Sequence, residues 1–179
     1  MRTARVRPAA ALVLLALLAL PAAAGAAGGE GFAEYEVKAA FVRNFVKFVE
    51  WPAKPGTLTL CILGEDPFAG AFAGPEDAGG GRKLVPRRIG RPEESADCQV
   101  LFLPAAQKER LADVLAATGD KPVLTIGDLA GQAKAGLVLS FLVEEKKVRF
   151  EVNLEPARRT GLVISSKLLG LAKAVHNPR

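Results

Sequence analysis

Three short apolar runs decide what this chain can fold into: TLTLCIL at 57–63, CQVLFLP at 98–104 and PVLTIGD at 122–128. The first alternates Thr with Leu before becoming wholly apolar, and the other two are apolar at nearly every position. Runs of this length, apolar at consecutive positions, read as strands buried on both faces. Such strands belong to parallel sheets covered by helices. Between the second and third runs, residues 105–117 have a helical pattern with Leu111, Val114 and Leu115 inward, ended by Gly119. KLVPRRI at 83–89 is a weaker strand, and Pro86, which cannot donate to a ladder, assigns it to a sheet edge. LVLSFLVEEKKVRFEVNL at 137–154 reads as two strands around a charged turn at 144–147, an antiparallel hairpin. The expected fold is a single compact α/β domain in three layers. Its sheet is largely parallel, of about five or six strands, closed by the C-terminal hairpin, with helices on both faces.

The start of the chain sets a compartment. Arg2, Arg5 and Arg7 precede an unbroken apolar run at 9–20, which Pro21 and the small-residue stretch AAAGAAGG follow. This is the order of a secretory signal peptide. The apolar run falls short of the roughly 20 residues that cross a bilayer. Cleavage is expected after Ala24 or Ala27, giving a signal peptide at 1–27 and one domain at 28–179. No Cys lies near that point to carry a lipid, and no Arg-Arg pair precedes the apolar run. Loss of the three arginines lowers the formal net charge from +5 to +2, so nothing in the mature chain asks for nucleic acid.

Residues 30–51 carry a helical pattern. Val37, Phe41, Phe45 and Phe48 form one apolar row, and Val42, Val46 and Val49 form a second beside it. Arg43, Asn44, Lys47 and Glu50 fall on the opposite side, and Glu34 can pair with Lys38 one turn on. Pro52 ends the helix. Further along, Asp66 and Pro67 open a turn, 67–74 is a short helix at best, and 74–82 (GPEDAGGGR) is a flexible loop. Pro156 starts a helical turn that Gly161 ends in the left-handed conformation. Residues 162–164 are extended, and Ser165 or Ser166 caps a last helix with Leu168, Leu169, Leu171 and Val175 available to the core.

Signatures of chemistry are scarce. His176 is the sole histidine, and no Cys/His cluster has zinc spacing. Ser165-Ser166-Lys167 lacks the spacing of a Ser/Lys nucleophile site. AGGGRK at 78–83 lacks the spacing of a phosphate-binding loop. No catalytic residue, cofactor or metal ligand is assigned, and the chain reads as a non-enzyme. Asp66 and Asp128 each follow a buried strand, where open α/β sheets place ligands, but both read first as turn formers or caps. Cys61 and Cys98 read as a disulfide in an oxidising compartment, with two buried thiols as the alternative.

These residues resemble YfiR-like periplasmic proteins. The stretches that carry the resemblance are EYEVKAAFVRNFVKFVEWP, LCILGEDPF, GRKLVPRRI, CQVLFLP, PVLTIGD and FEVNLEPARRTGLVISSKLLGLA. The resemblance implies a periplasmic α/β protein that restrains an inner-membrane GGDEF diguanylate cyclase through the cyclase's periplasmic sensor region. It implies sequestration by an OmpA-like outer-membrane lipoprotein, with cyclic-di-GMP and biofilm output rising as the restraint lifts. It also implies a homodimer and a disulfide at the positions of Cys61 and Cys98. A second family bridge has no counterpart here. Small aromatic ligands are expected at the Trp-Pro pair. Where the family has a basic residue before that Trp this chain has Glu50, the change expected to alter which ligand or partner is bound. The two most specific stretches supply the candidate ligand- or partner-binding residues: Glu50, Trp51 and Pro52, with Ser165, Ser166 and Lys167. The ending VNLEPARRTGLVISSKLLGLA is also similar to the end of periplasmic substrate-binding proteins of the tryptophan-transporter type. That likeness implies the alternative of a small-ligand-binding sensory module without a cyclase partner.

Overall fold

The structure, a computed structural model, describes residues 27–177, with side chains from residue 33 onward. The expected signal peptide therefore lies outside the described residues, save for Ala27. Among the described residues, no helix is long and apolar enough to cross a membrane.

The chain opens with helix α1 (Ala27–Phe45), and then strand β1 (Val49–Glu50) leads to β2 (Thr57–Leu63). Next come β3 (Glu76–Asp77), β4 (Lys83–Ile89), β5 (Val100–Leu103), helix α2 (Leu111–Thr118) and β6 (Leu124–Gly127). The hairpin β7 (Leu139–Glu144) and β8 (Lys147–Asn153) precedes α3 (Leu154–Arg159), β9 (Val163–Ile164), α4 (Ser166–Leu169) and β10 (Ala174–His176). Eight strands form the main sheet in the order β10-β8-β7-β6-β5-β2-β4-β3. The run from β4 through β2, β5 and β6 to β7 is parallel. The hairpin β7–β8 is antiparallel, turned by Glu145 and Lys146 at φ of 47° and 61°. Two positive φ values in succession give a two-residue turn the twist that matches its strands.

The fold class is the one expected: a mixed α/β domain, mostly parallel, with a C-terminal antiparallel hairpin. The strands beyond the expected six are short edge pieces. β3 comes from the glycine-rich loop and pairs only with Lys83 and Leu84 of β4. β10 comes from the tail and pairs parallel with β8. Pro86 lies past the reach of β3, on the outer flank of β4 that no strand covers.

The two faces of the sheet follow from strand alternation. Leu58, Leu60 and Ile62 of β2 point into the larger core with Val100, Phe102, Leu124 and Ile126, beneath α1. Cys61 and Leu63 point the other way, with Leu101 and Leu103, toward Val114 of α2. Phe45 of α1 anchors the larger core. Its ring lies 5.6 Å from that of Phe141 and 4.9 Å from that of Phe150, a pair directly opposite each other in the hairpin. Fully burying a side chain of this size contributes roughly 1.5–3 kcal/mol.

Several local expectations are corrected. The first helix ends at Phe45, not at Trp51. Residues 46–48 form a turn, in which the Lys47 and Phe48 N–H groups reach back only three residues, at 3.0 Å each. From there burial alternates: Val49 and Trp51 are buried and Glu50 is exposed. That is strand periodicity, in β-branched and aromatic residues that favour it. Residues 67–74 are turns instead of a short helix, broken by Ala69 and Gly70 at φ of 49° and 84°. The helix expected over 105–117 splits into a 3-10 stretch (Ala105–Arg110), itself kinked at Gln107, and α2, which starts after Arg110 leaves helical geometry at φ −90° and ψ 8°. Leu168 is buried, but Leu171 is 69% exposed and Val175 40% exposed. They miss the core because α4 ends after one turn and the chain swings out to the sheet edge as β10. Gly161, at φ +76°, ends the α3 segment as expected.

Cys61 of β2 and Cys98, just before β5, form a disulfide with Cα atoms 5.9 Å apart, closing a separation of 37 residues. Replacing both cysteines with Ala is expected to lower unfolding stability by about 4 kcal/mol on the chain-entropy relation. Urea denaturation measures this, and a thiol reagent applied to the unreduced, denatured wild-type protein should find nothing to label. The Phe45→Ala variant should lose about 3–5 kcal/mol in the same assay, since it empties the centre of the core beneath α1.

Candidate functional site

The candidate residues come from opposite ends of the chain, and the two-stranded ribbon β1–β9 brings their backbones together. Val49 stands opposite Ile164 and Glu50 opposite Val163. The Ser165 N–H donates to the Phe48 carbonyl at 2.9 Å, extending the contact by one step. Gly161 approaches from the same side. A Cβ there would lie 3.0 Å from Cγ of Pro52, and φ is +76°, so only Gly fits without strain.

Trp51 is 3% exposed, part of the core as well as of the candidate site. Its indole N–H donates to the Gln99 carbonyl at 3.1 Å. The Arg82 guanidinium covers it, 5.6 Å from the ring centroid. Arg82 also donates to the carbonyls of Val46 at 2.8 Å and Val49 at 3.3 Å. It thus satisfies acceptors left open where α1 stops. The loop that presents Arg82 has three successive glycines, Gly79 to Gly81, at φ of 77°, 64° and 76°. Above Trp51 lies an open cleft of about 390 Å3, bordered by Glu50, Lys54, Pro55, Gly80, Gly81 and Arg82.

Of the six candidate residues, Glu50 and Trp51 line this cleft. Pro52 is exposed beside it, packed on Gly161. Ser165 caps α4, its hydroxyl accepting the Lys167 N–H at 3.3 Å. Ser166 and Lys167 are exposed in the first turn of α4 and do not border the cleft. Arg82 was missed, because a glycine-rich stretch read as a loop gives no sign that its last residue turns inward.

A second cluster lies at the carboxyl ends of the parallel strands. Asp66 is the turn former expected, its Oδ1 accepting the Phe68 N–H at 2.8 Å. Asp128 does more. Its side chain is fully buried, and Oδ1 lies 2.5 Å from the Lys38 ammonium. Oδ2 accepts the Tyr35 hydroxyl at 2.5 Å and the Ala105 N–H at 3.3 Å. Lys38 also pairs with Glu34, one turn back on α1 as the spacing predicts. The sequence marked the Glu34–Lys38 pair and Asp128 separately. Nothing in it joined the helix to the strand exit. The Tyr35 phenol is held well above its ordinary value, first by burial and next by its hydrogen bond to the Asp128 carboxylate.

Residues 35–173 match the protein-family model described as YfiR/HmsC-like. Among solved structures the chain is similar to a conserved domain protein from Vibrio cholerae, with a TM-score of 0.52 and 12% identity over 79% of this chain and 60% of that one. It is also similar to the ABC domain of Streptococcus pneumoniae in complex with L-Trp, with a TM-score of 0.54 and 10% identity over 74% of this chain and 58% of that one. The chain thus spans less than two thirds of either solved structure, and at these identities the likeness is one of fold.

The protein has a single tyrosine, so absorbance of tyrosinate reports Tyr35 alone. The folded protein should keep the phenol protonated well past pH ~10, where an unfolded chain releases it. Because the folded-state value is the raised one, the stability this group contributes is complete below pH ~10 and is lost as pH rises beyond it. Asp128→Asn, which removes the carboxylate's negative charge from beside the phenol, should move the ionisation down. A folded wild-type protein that ionises near pH 10 would contradict the buried, hydrogen-bonded phenol.

Proposed function

We propose, because the chain belongs to the YfiR/HmsC-like family, that it restrains an inner-membrane diguanylate cyclase from the periplasm. At family level the membership supports a periplasmic regulator of cyclic-di-GMP signalling, in a family that is regulatory and non-catalytic. The observation that carries this reading is the reach of the match, residues 35–173, which takes in nearly all of the described domain.

The mechanism is one of binding. A regulator holds its target inactive by binding that state more tightly than the active one. Moving a target from one hundredth inactive to almost wholly inactive takes about a 10⁴-fold difference in affinity. A rigid domain suits this task, since it pays little ordering entropy on association. In this reading a cleaved signal peptide delivers the protein to the periplasm, where it acts as a homodimer. An OmpA-like outer-membrane lipoprotein sequesters it and so frees the cyclase.

Glu50, Trp51 and Pro52, with Ser165, Ser166 and Lys167 on the adjoining ribbon and helix, are the residues we assign to ligand or partner binding. The cleft over Trp51 also favours a second reading, a small-ligand-binding sensory module. Its volume of about 390 Å3 lies within the range of ligand pockets. Lys54 and Arg82 outnumber Glu50 in its lining, so the cleft is net basic and suits a small ligand that carries a negative group.

Deletion of the gene tests the leading reading. Cellular cyclic-di-GMP should rise, and a copy that includes residues 1–27 should restore it where a copy without them does not. An unchanged level in cells that express the candidate cyclase sinks the restraint.

A further inference from the structure

We draw no further inference here: the strongest candidate, the open cleft of about 440 Å3 at the carboxyl ends of β5, β6 and β7 over the buried Lys38–Asp128 pair, carries nothing, because the polar side chains that line it, Glu34, Tyr35, Lys38, Asp128 and Glu144, are already paired within the protein and nothing there points to a ligand.

Discussion

Lys38 of α1 and Asp128 at the exit of β6 stand 2.5 Å apart in the interior, and while they do, α1 can lie on the sheet in only one register. A slide of one helical turn would bury both charges without partners, at a cost of several kcal/mol. Apolar contacts alone give no such restriction, because the Phe and Val rows of α1 repeat at every turn. Tyr35 and the Ala105 N–H donate to Oδ2, so the carboxylate is hydrogen-bonded on that oxygen and neutralised by Lys38 at Oδ1. The net worth of such a pair against an apolar replacement is small. Its effect here is to select one arrangement among several that burial would accept.

With α1 so placed, its two ends define the rest of the surface. At the carboxyl end the helix stops at Phe45, and the chain is tied into the β1–β9 ribbon with Arg82 stitched across the gap. That stop creates the cleft over Trp51. A helix continued to Trp51 would have left β9 without its partner. Nearer its other end the helix runs beside the hairpin, leaving Val37 and Val143 about half-exposed while Val148 packs partly buried against the core. The cleft therefore follows from where the helix ends on the sheet.

Much of the architecture was legible because burial on both faces leaves an unmistakable pattern. β2 and β4 matched their predicted bounds, β5 and β6 fell within theirs, and β7 and β8 each took one residue, Glu144 and Lys147, from the expected turn. The hairpin turn was legible from its charges. What escaped was set by contacts distant in sequence. Val46, Phe48 and Val49 continue the helical spacing of Phe41 and Phe45 without a break, so periodicity alone carried the helix to Pro52. The pairing of Val49 with Ile164, more than a hundred residues on, decided otherwise. β10 was hidden because three residues near the terminus take strand form only through the edge of β8. Arg82 reads as part of a flexible loop until the carbonyls of Val46 and Val49 are in place to receive it. Asp128 was placed correctly at a strand exit, but its partners belong to the first helix, and no local spacing could supply them.

The candidate residues were legible for a different reason. Glu50, Trp51 and Pro52 stood out through family resemblance, as did Ser165, Ser166 and Lys167, and the ribbon brings the two groups side by side. Proximity does not make them one site. Trp51 is committed to the core through Gln99 and to Arg82 through its ring, so a ligand in the cleft meets the rim more than the indole face. Specificity at such a place is carried by exposed groups, and Glu50 is the exposed group adjoining the Trp. In the proposed reading a change of charge there would alter which partner is attracted, and its exposure leaves the core beneath unchanged.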